Sequence, residues 1–219
     1  MNWPDDYINK VIQGDCLEVM KQMPDKCVDI IVTDPPYGIK MDKGFEGFGG
    51  FGGFGTPIAR KRYEEDDWDS ERPTKEVFDE FFRLAKVVVI CGGNFFADIL
   101  PRNTHWVFWD KLNTMPTFSD GELIWTNSKR KSVKKYTLEY NGLIGKEQMR
   151  AHPTQKPLEL MKYLVNEYSD EGVTILDPFL GSGTTAVAAK QLGRKYIGIE
   201  LSEKYCKIAE ERLKQDMLF

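Results

Sequence analysis

The 219-residue chain has two histidines, His105 and His152, and four cysteines, Cys16, Cys27, Cys91 and Cys206, none of them in a CxxC pair. That spacing argues against a zinc site, and no metal is expected. It offers no disulfide framework either, which fits a reducing compartment. Long apolar runs are missing: the longest, Val87 to Cys91, has five residues, against the roughly 20 that a spanning helix needs. The first residues, Met1-Asn2-Trp3-Pro4-Asp5-Asp6, lack the basic start and apolar centre of a signal peptide. A cytoplasmic protein away from membranes is expected. An overall basic excess is absent as well: 30 Lys and Arg face 34 Asp and Glu, for a net charge of −4. A protein that simply coats nucleic acid is therefore disfavoured.

Apolar patterning alternates between two kinds of segment. Short β-branched runs, Val11-Ile12, Val28 to Thr33, Val87 to Cys91, Val173 to Asp177 and Tyr196 to Glu200, predict buried strands. Helices are predicted over about Asp15 to Gln22, Thr74 to Lys86, Pro157 to Tyr168, Thr184 to Leu192 and Ser202 to Lys214. Two further strand-like segments, His105 to Trp109 and Glu122 to Thr126, lie between. Strands alternating with helices indicate an α/β fold: a mostly parallel sheet covered on both faces, with ligands outside the carboxyl ends of the strands.

Four motifs fall at predicted strand ends: Gly14-Asp15, Asp34-Pro35-Pro36-Tyr37, Asp177 to Thr185, and Glu200. In Asp177-Pro178-Phe179-Leu180-Gly181-Ser182-Gly183-Thr184-Thr185 a strand meets a glycine turn that opens a helix. Glycine lets a ligand approach the backbone, and the helix start offers free N–H groups to an anion. The lysine of a P-loop and the third glycine of the dinucleotide fingerprint are absent, so a carboxylate suits the site better than a pyrophosphate. Glu200, ending the next strand, is placed to accept ribose hydroxyls. A ligand with a nucleoside at one end and a small anion at the other satisfies both. In Asp34-Pro35-Pro36-Tyr37, a carboxylate and a prolyl carbonyl on a stiff turn can accept both hydrogens of one amino group. The tyrosine face beside them can stack on a flat ring. Together they suit an exocyclic amine on an aromatic heterocycle.

Asp34-Pro35-Pro36-Tyr37, then His152-Pro153-Thr154-Gln155-Lys156-Pro157, then the Asp177 to Thr185 turn, resemble the amino-methylating DNA methyltransferases. The order, catalytic motif before cofactor motif, is similar to their permuted β group. The resemblance covers about Val11 to Tyr37 and His152 to Lys214, nearly half of the chain. It implies a Rossmann-like, seven-stranded sheet and S-adenosylmethionine as cofactor. It also implies that Asp34, Pro35, Pro36 and Tyr37 form the catalytic turn. By motif, Glu200 would hold the ribose, Leu201 would flank the adenine, and Asp15 with Cys16 would meet the adenine edge. Phe179, Gly181, Ser182, Gly183, Thr184 and Thr185 would wrap the amino-acid part, with Asp177 nearby. Lys156 would help close that end, and Asp34 would face both amine and methionine.

Two segments stand apart. Gly44 to Gly55, with seven glycines and four phenylalanines, falls within one long loop expected over 39–73; its phenylalanines are expected to contact nucleic acid. Between Thr126 and Arg150, seven Lys or Arg face two Glu. Segment 126–150, with Lys129, Arg130, Lys131, Lys134 and Lys135, is the expected target-recognition surface of one methyltransferase domain spanning 1–219. The leading expectation is a site-specific adenine-N6 methyltransferase, of the restriction-modification kind, acting on a flipped base of double-stranded DNA, with a homodimer as one possible assembly. The alternatives are cytosine-N4 methylation, RNA as substrate, or a catalytically silent nucleic-acid-binding module.

Overall fold

The computed structural model describes residues 1–39, 71–112, 119–139 and 155–215. The Gly44 to Gly55 segment, most of the expected loop, and His152 to Thr154 lie outside the described residues. In chain order the elements are β1 (Lys10–Gln13), α1 (Cys16–Lys21), β2 (Val28–Thr33), α2 (Lys75–Leu84) and β3 (Ala85–Ile90). A 3-10 turn over Gly93–Phe96 follows, then β4 (Trp106–Asp110), β5 (Gly121–Thr126) and β6 (Lys134–Thr137). The chain continues through α3 (Leu158–Tyr168), β7 (Thr174–Asp177), α4 (Thr184–Gln191), β8 (Lys195–Glu200) and α5 (Glu203–Gln215).

The strands form one sheet in the order β1-β8-β7-β2-β3-β5-β4-β6. The first five in that order run parallel, so their carboxyl ends share one edge. β5 is antiparallel to β3 and β4, while the outermost strand, β6, is parallel to β4. Central strands buried on both faces read as continuous apolar runs, as Ile30, Ile31 and Val32 illustrate. Ile31 packs on one face with Met20, Phe78 and Phe81 from α1 and α2. Ile30 and Val32 pack on the other with Leu160, Met161 and Leu164 of α3 and Ala188 of α4. Helices thus cover both faces.

Among the described residues the sheet has eight strands, one more than the seven expected. The addition is β6, whose Lys134-Lys135-Tyr136-Thr137 carries no apolar alternation. Tyr136 secures it, stacking on Tyr163 of α3 with ring centroids 4.2 Å apart. Helix α2 also stops sooner than its apolar spacing suggests. The β-branched run that follows extends back into the sheet, pairing Ala85 with Val28.

Candidate active site

Four parallel neighbours, β1, β8, β7 and β2, end at Gly14-Asp15, Glu200, Asp177 and Asp34, and so gather the four motifs along one edge. The last residue of β2 ties two of them together: Thr33 Oγ1 donates to Asp177 Oδ1 at 2.7 Å in the buried interior.

The turn after β7 is shaped by backbone. Phe179 N donates to Asp177 Oδ1 (3.1 Å), and the Thr185 hydroxyl donates to the same carboxylate. Burial pushes Asp177 up to about 6, against those hydrogen bonds. Gly181 and Gly183 both have positive φ, +53° and +87°. A Cβ on Gly183 would lie 2.8 Å from Ala209 Cβ of α5, so that glycine permits helix packing. A Cβ on Gly181 would meet nothing within 4 Å, so there the turn opens onto space. Helix α4 starts at Thr184 without a side-chain cap, leaving its first N–H groups aimed outward. Ser182, Thr184 and Thr185 are buried beneath.

Glu200 closes the turn from β8. Its Oε2 accepts Gly181 N at 2.7 Å and its Oε1 accepts Ser202 N at 2.8 Å. Two backbone donors thus orient the carboxylate. Beside it, Leu201 is 70% exposed, a large apolar side chain facing solvent at a strand end. Gly14 N donates to Glu200 O (2.9 Å), joining the turn after β1 to the same edge. Asp15 caps α1 by accepting Glu18 N at 3.1 Å, and Cys16 next to it is half-buried. These groups match S-adenosylmethionine by chemistry. They offer a carboxylate for ribose hydroxyls, apolar surface for adenine, and an open glycine turn with helix N–H groups for a carboxylate, with Asp177 buried behind the turn.

The turn after β2 is held by side chains instead. Asp34 Oδ1 accepts the Tyr37 hydroxyl at 2.6 Å, and Asp34 Oδ2 accepts Lys156 Nζ at 2.7 Å. Lys156 Nζ also reaches Tyr37 Oη (3.1 Å) and stands 3.4 Å from Glu122 Oε2 on β5. Glu122 Oε1 pairs with Lys111 at 2.6 Å. Two carboxylates and two ammonium groups make a balanced quartet. Burial pushes Asp34 up, with Lys156 opposing and Glu122 adding to the rise. Burial acts on Glu122 in the same sense, but Lys156 and Lys111 outweigh it and hold that group low. Burial disfavours the Lys156 ammonium, and Asp34 with Glu122 more than restores it, so Lys156 stays charged.

Tyr37 lies almost parallel to Phe95, with centroids 4.5 Å apart. Gly92, with φ of +64°, gives its ring room: a Cβ there would come within 2.4 Å of it. The thiols are not arranged as nucleophiles. Burial pushes Cys16 up to about 12, Cys27 and Cys206 to about 11, and Cys91 upward as well.

Consecutive residues bridge the two turns. Gln155 Oε1 accepts Ser182 Oγ at 3.0 Å, while Lys156 reaches Asp34. Lys156, expected to help close the amino-acid end of the cofactor, contacts the Asp34 carboxylate. Sequence reasoning missed Gln155, Glu122, Lys111 and Arg212. From α5, Arg212 donates to Ser182 O (2.6 Å), Ser182 Oγ and Thr184 Oγ1. Gln155 stood in the His152 to Pro157 motif without a role of its own, the basic last turn of α5 was the signal for Arg212, and Glu122 and Lys111 carried none.

The basic residues lie away from these turns, on and before the outer strand. Lys129, Arg130, Lys131, Lys134 and Lys135 are all exposed. Arg130 pairs with Glu167, and Lys135 with Asp110 at 2.6 Å. Among the described residues, no group of His, Cys, Asp and Glu is arranged to hold a metal, and no helix is long and apolar enough to cross a membrane.

A family model described as DNA methylase, of the N6/N4 type, matches residues 109–211. The Streptococcus pneumoniae type II methyltransferase M2.DpnII is 30% identical over 96% of this chain and 92% of its own length. The chain belongs to the N6/N4 DNA methyltransferase family. The Haemophilus influenzae type II methyltransferase M.HinfI is 28% identical over 96% of this chain and 69% of its own length. The crystal structure of the M1.HpyAVI–S-adenosylmethionine complex shares the fold, with a TM-score of 0.61 at 24% identity, covering 93% of this chain and 98% of that one. Family membership makes this chain a DNA methyltransferase whose methyl donor is S-adenosylmethionine. The family match starts at Trp109, so Asp34 to Tyr37 lie outside it.

Proposed function

We propose that this methyltransferase acts on the exocyclic N6 amine of adenine in double-stranded DNA, with the target base turned out of the helix into the space beside Asp34 and Tyr37. The observation that carries the reading is the Thr33–Asp177 hydrogen bond of 2.7 Å, which locks the Asp34 turn against the turn suited to the cofactor. An aromatic amine is a poor nucleophile because its lone pair is delocalised into the ring. Asp34 and the Pro35 carbonyl draw its two hydrogens, favouring a pyramidal nitrogen whose lone pair is free to attack. Pro36 stiffens the turn. Bound S-adenosylmethionine supplies a methyl group already activated by a sulfonium. The protein's own contribution is therefore placement and charge, through residues held before the substrate arrives.

The target atom is out of reach inside a duplex, so the base has to leave its stack. Tyr37, already stacked on Phe95, borders the place given to it, and base–aromatic contacts are worth roughly 1–3 kcal/mol. Glu200 holds the ribose, Leu201 flanks the adenine of the cofactor, and Asp15 with Cys16 borders its edge. Phe179 to Thr185 surround the amino-acid end. Lys129, Arg130, Lys131, Lys134 and Lys135 follow the phosphates; Lys134 and Lys135, on an edge strand, also discourage pairing with a foreign strand. The similarity to two type II methyltransferases supports a site-specific enzyme.

Cytosine N4 is the second reading, because a carboxylate and a prolyl carbonyl serve either amine. Incubation with DNA and isotopically labelled S-adenosylmethionine, followed by nucleoside mass spectrometry, separates them. Labelled N6-methyladenine is expected. N4-methylcytosine would replace the adenine reading, and a product confined to RNA would remove DNA as the substrate.

A further inference from the structure

Both oxygens of Asp34 are engaged: Oδ1 by the Tyr37 hydroxyl and Oδ2 by the Lys156 ammonium. A substrate amine that takes the Oδ2 direction now held by Lys156 displaces that ammonium. Lys156 is 9% exposed, and a buried ammonium cannot move into a place without an acceptor except at large cost. One acceptor is waiting. Glu122 Oε2 is buried and has no hydrogen-bond partner among the described residues, although Lys156 Nζ stands only 3.4 Å away. The other oxygen of the same carboxylate is fixed by Lys111 at 2.6 Å, and Lys111 also lies over the Trp109 ring. Glu122 is thus anchored through one oxygen by Lys111, with its other oxygen 3.4 Å from the ammonium that Asp34 holds.

We infer that Lys156 is handed from Asp34 to Glu122 when the target amine binds, which makes Glu122 and Lys111 positioning residues for methyl transfer. A movement of well under 1 Å turns the 3.4 Å separation into an ordinary charge-assisted hydrogen bond. The quartet keeps two positive and two negative charges throughout, so no charge is stranded. The shift loosens the Lys156 bond to Asp34 Oδ2 in favour of the amine and leaves the carboxylate facing the positive charge that grows on nitrogen as the methyl group arrives. The inference rests on the proposed grip of Asp34 on the amine.

The groups facing Asp34 are Lys156, Glu122 and Tyr37, with Asp177 and Cys91 behind them. Glu122→Gln leaves a neutral acceptor and ties Lys156 to Asp34. Its single-turnover methylation rate is expected to fall at least tenfold, with S-adenosylmethionine affinity within twofold of the parent. The acid limb of its rate profile should move to lower pH, because a neighbouring negative charge has gone. Lys111→Met does the opposite: Glu122 then draws Lys156 away from Asp34, and the acid limb should move to higher pH. In a Lys156→Met background, Glu122→Gln should cost no more than about twofold, since nothing is left to hand over. Unchanged single-turnover rates in Glu122→Gln, shifts of equal sign in the two single variants, or a full additional loss in the double variant would overturn the inference. If Glu122→Gln fails to fold, the Lys111→Met limb decides alone. Asp34→Asn separates the two layers: substantial turnover in that variant defeats the proposed grip itself. An inactive Asp34→Asn beside a fully active Glu122→Gln defeats only the hand-over.

Discussion

The turn after β2 and the turn after β7 stand side by side on one sheet edge, yet they are built in opposite ways. The β7 turn takes its course from local backbone features, two positive-φ glycines and short-range bonds to Asp177, and is braced from outside by Thr33, Gln155, Glu200 and Arg212. The β2 turn depends on distant segments: Asp34 and Tyr37 meet Lys156, 122 residues on, and through it Glu122 of β5. The lesson is one of division of labour. In the proposed reading, the backbone cradle after β7 meets the cofactor, and the charged side chains after β2 meet a target amine that must enter and leave.

Substitutions on each side sharpen that contrast. Asp34→Ala should have the largest effect, lowering methyl transfer by roughly 10²–10³-fold, as loss of a polar group acting on the transition state does. Cofactor affinity, measured by calorimetry, should stay within a few-fold. A parallel loss of affinity would merge the two turns into one functional unit. In the β7 turn, Gly183→Ala combines a left-handed backbone with a collision at Ala209, and should cost about 3 kcal/mol in denaturant unfolding. Gly181→Ala has open space and should cost only about 1 kcal/mol, but its methyl enters the place suited to the cofactor. Affinity should fall there while stability is nearly kept. Equal stability losses for the two glycines would contradict the roles given to them.

Much of this was legible in the sequence, for a physical reason. Glycine turns and strand ends are local patterns, so Gly181, Gly183 and Asp177 were found where the structure has them. Asp34-Pro35-Pro36-Tyr37 was visible because proline ends a strand in a recognisable way. The quartet was not legible, because Glu122 and Lys111 are ordinary charged residues until the fold brings them to Lys156. Strand β6 was missed for a similar reason: Lys134 and Lys135 point to solvent, and only the stacking of Tyr136 on Tyr163 reveals the strand. The ionic partners of Arg130 and Lys135, Glu167 and Asp110, are likewise tertiary facts.

Two smaller effects extend the comparison. Asp177 sits at about 6 in the folded protein against an ordinary 3.8. The folded state therefore holds the proton more tightly, and its stabilising contribution is complete below about pH 4. That contribution is lost as pH rises through about 6, by on the order of 3 kcal/mol. Unfolding measured from pH 4 to 7 should follow that fall, and Asp177→Asn should flatten it; an unchanged slope would mean that another group is responsible. Smallest in scale, replacing Lys129, Lys131 and Lys134 by glutamine should reduce the salt dependence of DNA binding by about 0.9 per lost phosphate contact, with cofactor affinity untouched. A slope equal to the parent's would place the phosphate path elsewhere.

The most direct test of the central claim is the distance from the Asp34 carboxylate to the target amine nitrogen, in a crystal structure with duplex DNA and a non-transferring analogue of S-adenosylmethionine. The account predicts a hydrogen bond of about 3 Å, with the base turned out of the duplex and the analogue seated on the Gly181–Gly183 turn. A flipped base held elsewhere, with both Asp34 oxygens still bonded to Tyr37 and Lys156, would contradict it.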